Sequence, residues 1–280
     1  MPLIPSAKTT IVEHGLKPKK SFGQNFMMEQ NVNVMIKTAV ASLGQASAVV
    51  EIGAGTGSLT HHLLSVSPKA HAVERDRDLI PILAERFKDE VARDHLIIHE
   101  ADGVQFVLSS VMSADEPGVL VGNLPYHLTS SIILLALKNR SLLLGAVFLV
   151  QKEVADRLLA EPNNKQYGFL TVILNLGFSL SRVAVVNKAA FWPVPKVDSA
   201  IIKMTVSDHG ISEVKDLDRF IVFVREIFQK RRKKLSTIFK GTLGAADFLA
   251  LSIDADARPE NLKPRQFLDL FLYFLCRTAA

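Results

Sequence analysis

The chain has 280 residues, 48% of them hydrophobic, and carries 33 lysines and arginines against 28 aspartates and glutamates, a formal charge of +5. That length suits one large domain with a smaller one, the composition excludes disorder and fibrous repeats, and the modest positive excess tilts only slightly toward an anionic partner. Cys276 is the single cysteine, which excludes an internal disulfide, a cysteine zinc cluster and a CxxC redox pair, and fits a reducing compartment. The opening residues MPLIPSAKTTIVEHGLKPKK lack the apolar core of a signal peptide. The most apolar stretch, Ser131 to Val150, is interrupted by Lys138, Asn139 and Arg140; two buried elements account for it better than a membrane span. The expectation is a cytoplasmic protein with no membrane partner and no metal.

In chain order, the first feature is a basic cluster, Lys17, Lys19 and Lys20. Next, AVVEIG (48–53) reads as a buried strand that runs into Gly53-Ala54-Gly55-Thr56-Gly57 and then a helix. Glycines there allow a sharp turn and close approach of a ligand at the strand's carboxyl end. A plain tight turn has the same local pattern. AHAVE (70–74) is a second strand, ending at Glu74 about 20 residues beyond Gly53, where a carboxylate can accept hydrogen bonds from the ribose hydroxyls of an adenosine-containing ligand. An amphipathic stretch follows at Asp76–Phe87. LIIHE (96–100) is a third strand, and Asp102 just after it can reach an adenine amine or cap a following helix. These features alone do not separate NAD from S-adenosylmethionine (SAM), although the GxGxG spacing departs from the dinucleotide GxGxxG.

The fourth strand, GVLVGN (118–123), runs into Asn123-Leu124-Pro125-Tyr126. Methylating the exocyclic amine of adenine is difficult because its lone pair is delocalised into the ring. Two acceptors for the amine hydrogens make the nitrogen pyramidal, and the Asn123 side-chain oxygen and the Leu124 carbonyl suit that task. Pro125 restricts Leu124 to extended geometry, and Tyr126 offers a face for an extruded base. The competing reading is a strand-to-loop turn with Asn and Pro as punctuation. Helix Thr129–Leu137 and strand AVFLVQ (146–151) follow. Leu180–Val186 and Ala200–Val206 read as an antiparallel edge hairpin, with Phe191-Trp192-Pro193-Val194-Pro195 between them as a stiff loop. That loop is either a brace or a clamp that sets Phe191 against the base.

Alternating strands and helices up to about Val206 predict βαβ units, a mainly parallel sheet and thus an α/β fold. From Asp216 onward the periodicity is helical, including FIVFVREIFQKRRKKLSTIF, which contains the basic run Lys230, Arg231, Arg232, Lys233, Lys234. The predicted organisation is a catalytic domain over 1–207 and a small all-helical domain over 208–280. A basic run is as often a solvated helix face as a grip on phosphates.

The sequence resembles the KsgA-type family of ribosomal RNA adenine dimethyltransferases. The resemblance rests on KPKKSFGQNF (17–26), VVEIGAGTGSLT (49–60), NLPY (123–126), QKEVADRL (151–158), FWPVPKVDSA (191–200), QKRRKKL (229–235) and ARPENLKPRQFLDL (257–270), all in the family's order. It implies a Rossmann-like SAM-dependent methyltransferase sheet with a helical C-terminal domain. It also implies that Asn25 and Met27 close over SAM, that Gly53, Gly55, Glu74, Asp102 and Asn123 contact it, and that Asn123, Leu124, Tyr126 and Phe191 form the target-base pocket. The implied partner is small-subunit ribosomal RNA within a 30S-type particle, gripped by the two basic clusters and dimethylated at two adjacent adenosines of its 3′-terminal hairpin. A ribosome-biogenesis role accompanies that reading, and nothing demands more than a monomer. Met27, Ala54 and His127 depart from the family's usual leucine, proline and asparagine. The rivals are the sister family acting on large-subunit RNA, disfavoured by Leu124 and ARPENL, and a non-catalytic assembly or transcription factor, disfavoured by the intact Asn123–Tyr126 motif.

Overall fold

The structure is a computed structural model and describes residues 5–278. Helix α1 (Ala7–Glu13) is capped by the Ser6 hydroxyl, which accepts from Thr9 N–H. A two-residue strand β1 (Phe26–Met27) precedes α2 (Gln30–Ala41), whose Val32, Ile36 and Val40 fall on one face and are buried. Then come β2 (Val49–Ile52), α3 (Thr60–Leu63), β3 (Ala70–Glu74), α4 (Ile80–Arg86), α5 (Lys88–Ala92), β4 (Leu96–Glu100), β5 (Gly118–Asn123), α6 (Thr129–Lys138) and β6 (Leu143–Gln151). The remainder is α7 (Lys152–Leu158), α8 (Phe169–Gly177), β7 (Phe178–Val186), β8 (Phe191–Trp192), β9 (Ser199–Val206), α9 (Leu217–Gln229), α10 (Leu235–Ile238), α11 (Ala245–Ala250) and α12 (Pro264–Thr278).

Seven strands form one sheet in the order β4-β3-β2-β5-β6-β9-β7. The pairs β2/β3, β3/β4, β2/β5 and β5/β6 are parallel, and β9 runs antiparallel to β6. Near-continuous apolar runs such as Val119, Leu120 and Val121, all buried, belong to strands covered on both faces. One face packs Val49, Val121, Val147 and Ile201 against Val32 and Ile36 of α2. Toward the β4 edge, Ala70, Ala72 and Leu96 pack against Leu83 and Phe87. The chain winds from β2 outward to β3 and β4, then returns to β5 on the other side. The reversal between β2 and β5 opens a crevice at the carboxyl ends of the strands, where Gly53, Glu74 and Asn123 emerge together.

The chain divides into two compact units. The first takes the chain up to Ala155 together with Ser181–Val206; the second takes Asp156–Leu180 together with everything from Ser207 onward. A single boundary at 207/208 therefore misses a segment: α8 packs against α9 and α12, and the Tyr167 hydroxyl donates to the Leu262 carbonyl at 2.9 Å. The helical periodicity read over 220–239 is interrupted, since α9 stops at Gln229 and the basic run lies in a turn before α10. Five consecutive cations repel one another within a helical turn. Arg231 is drawn aside, its guanidinium donating to Glu260 and to the Asn164 carbonyl. The amphipathic stretch over 76–87 becomes helical only at Ile80, after a turn over 77–79.

Candidate cofactor and base site

One open cavity lies at the crevice. Gly53, Gly55, Glu74 and Asp102 line it together with Asn123, Leu124, Tyr126, Phe191 and Asn25. Of the residues expected here, Met27 alone is not at its wall. Met27 pairs with Phe191 across β1/β8, is buried in the core, and borders a smaller adjoining cavity shared with Asn33, Glu51 and Thr56.

Glu74 is buried at the end of β3, and its carboxylate braces the glycine turn. Oε2 accepts from Gly55 N–H at 2.7 Å, while Oε1 accepts from the N–H groups of Arg75 and Asp76, both at 2.8 Å. Burial pushes its pKa up and those three N–H groups oppose the shift. With Oε1 holding two donors, the open acceptor position is on Oε2, which suits one further hydroxyl. Gly53 has φ +77°, and a side chain there would meet nothing nearer than Asn123 O at 3.9 Å, so the space above the turn is free for a ligand.

Asp102 accepts from Val104 N–H at 3.0 Å, which makes a local turn instead of a helix cap, and its other oxygen faces Arg75 Nη1 at 3.1 Å. The Arg75 guanidinium in turn lies over the Phe22 ring, 5.4 Å from the centroid. Phe22 and Arg75 both line the cavity. Neither stood out in the sequence, because nothing in the local pattern of either segment shows that they meet.

In the Asn-Leu-Pro-Tyr segment, Asn123 Nδ2 donates to the Asn25 carbonyl at 3.0 Å. Its amide nitrogen is therefore engaged, and the group it offers to a ligand is the acceptor Oδ1. Leu124 N–H donates to Leu149 O at 3.1 Å, and no hydrogen bond among the described residues uses the Leu124 carbonyl. The Pro125 carbonyl accepts from Leu128 N–H and from the Thr129 hydroxyl, which fixes the turn into α6. Burial raises the Tyr126 pKa, the Ser199 side chain partly opposing it, so the phenol stays neutral. His127 is exposed at the cavity rim, close to the Gly23 backbone.

Behind the turn, Glu51 is fully buried and accepts from the Thr60 hydroxyl at 2.5 Å. Burial, opposed by Thr60 and reinforced by Glu74, pushes its carboxyl up to about 8. The Thr56 hydroxyl beside it is buried without a partner among the described residues, so the small cavity holds a protonated acid and an unused hydroxyl. Polar groups left this way suit the polar end of a bound ligand or a water molecule.

The basic residues separate by partner. Lys19 pairs with Asp76 and Asp78, Arg231 with Glu260, and Lys234 with Asp256. Lys17, Lys20, Lys230, Arg232 and Lys233 are exposed.

A mainly parallel sheet that presents a glycine turn, a strand-end carboxylate and an Asn-Leu-Pro-Tyr acceptor pair along one edge defines a Rossmann-like methyltransferase. The chain belongs to the ribosomal RNA adenine dimethylase family, whose model matches residues 15–275. It is 38% identical over 265 residues to a ribosomal RNA small subunit methyltransferase A of Marinomonas, covering 92% of this chain and 96% of that one. With the protein of the same name from Myxococcus xanthus the identity is 37% over 270 residues, covering 94% and 93%. A crystal structure of a dimethyladenosine transferase from Plasmodium falciparum superposes with a TM-score of 0.76 at 27% identity, covering 90% of this chain and 98% of the other. The 23S rRNA methyltransferase ErmE shares the fold, with a TM-score of 0.67 at 24% identity, covering 89% of this chain and 99% of that one. The activity is SAM-dependent adenine dimethylation of ribosomal RNA, and the cavity fits that cofactor: free space over Gly53, an open acceptor on Glu74 and the Thr56 hydroxyl beside Glu51, unpaired among the described residues. No described helix is long and apolar enough to cross a membrane.

Proposed function

We propose that the chain dimethylates the exocyclic amines of two adjacent adenosines in the 3′-terminal hairpin of small-subunit ribosomal RNA, acting on a 30S-type particle as a cytoplasmic monomer and contributing to ribosome biogenesis. The observation that carries the chemistry is Asn123, whose Nδ2 is tied to Asn25 O so that Oδ1 remains as acceptor beside the unused Leu124 carbonyl. The small-subunit assignment is supported by the relatives, which are small subunit methyltransferases by name.

SAM supplies an activated methyl group on its sulfonium, so the chain's residues position groups and need no strong base. Gly53, Gly55, Glu74, Asp102 and Asn25 are assigned to holding it at the main cavity, and Met27 to the adjoining cavity that it borders. The splayed adenine stacks on Tyr126, with Phe191 at its other side, a contact worth roughly 1–3 kcal/mol per base. Its amine donates to Asn123 Oδ1 and the Leu124 carbonyl, which turns the nitrogen lone pair toward the methyl donor. Once methylated the amine loses a hydrogen, so the second transfer proceeds with one of the two acceptors.

Lys17, Lys19, Lys20 and the turn 230–234 are assigned to phosphates, the catalytic role to the sheet unit and RNA docking to the helical one. Of these cations, the exposed Lys17, Lys20, Lys230, Arg232 and Lys233 are better placed than Lys19, Arg231 and Lys234, which hold internal carboxylates. The test is transfer from labelled SAM to unmethylated small- and large-subunit particles, followed by mass spectrometry of the nucleosides. Dimethyladenosine in small-subunit RNA alone is the expected result; label in large-subunit RNA overturns the substrate assignment. Asn123→Ala lowers kcat by about 10²–10³-fold if its oxygen acts as described, and near-normal turnover refutes the role.

A further inference from the structure

The segment before β1 is tied to the end of β3 by a compact polar cluster. Asp76, only 2% exposed, sits at its centre. Its Oδ2 accepts from Gln24 Nε2 at 2.7 Å, its Oδ1 accepts from Lys19 Nζ, and its own N–H donates to Glu74 Oε1. Lys19 N–H donates to Gln24 Oε1 at 2.8 Å, so the Gln24 amide is held at both ends. Asp78 completes the grip on Lys19 at 2.7 Å. Asn25 is the next residue, and its carbonyl receives the Asn123 amide hydrogen. A side-chain amide has two orientations of nearly equal shape, and a hydrogen bond from its nitrogen decides which one is populated.

We propose that Asp76 and Gln24 are positioning residues for methyl transfer: they hold the Asn25 carbonyl where it fixes the Asn123 amide with Oδ1 toward the target amine. This rests on the acceptor role assigned to Asn123 above. The segment is then more than a cover for the cofactor, since it sets the orientation of the group that receives the amine hydrogen. A carboxylate joined to the cofactor-side strand through Glu74 is thereby connected to the base side of the crevice through Gln24, the peptide link to Asn25 and the Asn123 amide. Each hydrogen bond is directional and, to a charged acceptor, strong enough that losing one changes a population severalfold.

Gln24→Leu is the first variant, because Gln24 is partly exposed and the replacement leaves the core unaltered; Asp76→Asn, which keeps an acceptor for Gln24 but discards the ion pair, is the second. In the cofactor-free protein, the Asn123 side-chain NH₂ is followed by ¹⁵N-resolved hydrogen exchange. SAM affinity is measured by calorimetry, and kcat on small-subunit particles at saturating SAM. The expected result for Gln24→Leu is faster exchange of the Asn123 amide and a kcat about tenfold lower, with a smaller loss for Asp76→Asn. In an Asn123→Ala background, which has no amide left to orient, Gln24→Leu should lower the residual kcat no further. The proposal is overturned if Asn123 exchange is unchanged, if only SAM affinity falls, or if the Gln24→Leu loss persists in full beside Asn123→Ala. If wild type methylates but Asn123→Ala is as active, the acceptor role fails first, and these outcomes separate the two.

Discussion

Gly57→Ala should destabilise the protein without weakening the cofactor site. Gly57 has φ +82°, so any side chain there occupies the left-handed region, at about 1–2 kcal/mol. Its added Cβ would also stand 2.3 Å from Phe87 Cε2, 2.9 Å from Phe87 Cζ and 3.0 Å from Leu83 Cδ2. Phe87 and Leu83 are themselves buried among Ala72 and Leu96 and cannot swing outward. Overpacking of that kind costs about 1–3 kcal/mol, for a total of about 2–5 kcal/mol. Gly53→Ala carries the left-handed cost alone, because its Cβ meets only open space, but that space is where a ligand is expected. Urea unfolding with comparison of midpoints at constant slope gives the stability difference, and calorimetric titration with SAM gives the affinity. Gly57→Ala should lose stability and keep affinity, whereas Gly53→Ala should lose affinity with the smaller change in stability. Equal destabilisation by the two substitutions would refute the division of labour within the turn.

Two buried groups predict opposite pH dependences. Burial raises Glu51 from the ordinary 4.5 to about 8, so its contribution to stability is complete below about 4.5 and is lost as pH rises through about 8. Glu51→Gln should remove that decline, which spans pH about 4.5 to about 8, from a stability–pH profile; an unaltered slope contradicts the assignment. His71 is depressed from 6.5 to about 4, chiefly by burial and then by His99, whose Nε2 lies 2.9 Å from its Nδ1. Its contribution is complete above 6.5 and is lost as pH falls through about 4, so His71→Leu should flatten the acid side of the same profile. Tyr167→Phe strands the Leu262 carbonyl and should cost about 1–2 kcal/mol in denaturant unfolding. Changing Lys230, Arg232 and Lys233 to glutamate should weaken RNA binding and flatten its salt dependence while SAM affinity holds; equal loss of both would refute a docking role for that turn.

Much of the sheet was legible because buried strands announce themselves as apolar runs: AHAVE and GVLVGN coincide with β3 and β5, and LIIHE coincides with the edge strand β4, of which only Leu96 is buried. The glycine turn, Glu74 and Asn123 were equally accessible, since each follows such a run and must therefore emerge at the same edge. What escaped was set by contacts between distant segments. Lys19 and Gln24 meet at the Asp76 carboxylate, and no pattern around residue 76 announces a partner near residue 20. The apolar FLTVILNLG of α8 reads as buried but does not say in which core, so its grouping with the C-terminal helices was missed. Met27 shows the converse: a place in the sequence beside a cofactor segment did not fix the direction of a side chain that the β1/β8 pairing turns into the core.

The return of the chain at Ser181 has a consequence for anyone who wishes to study the two units apart. Because Asp156–Leu180 folds with the residues after Ser207, no single stop codon divides this gene into two self-sufficient pieces. A product ended at Val206 would retain α8, whose Val172, Ile173 and Leu174 are fully buried, while discarding the α9 and α12 helices that cover it. Such a fragment should aggregate through that uncovered helix, and its inactivity would say nothing about catalysis. A soluble sheet unit requires excision of 156–180 as well, with a short loop joining Ala155 to Ser181. The helical unit, conversely, needs both of its stretches joined in one reading frame.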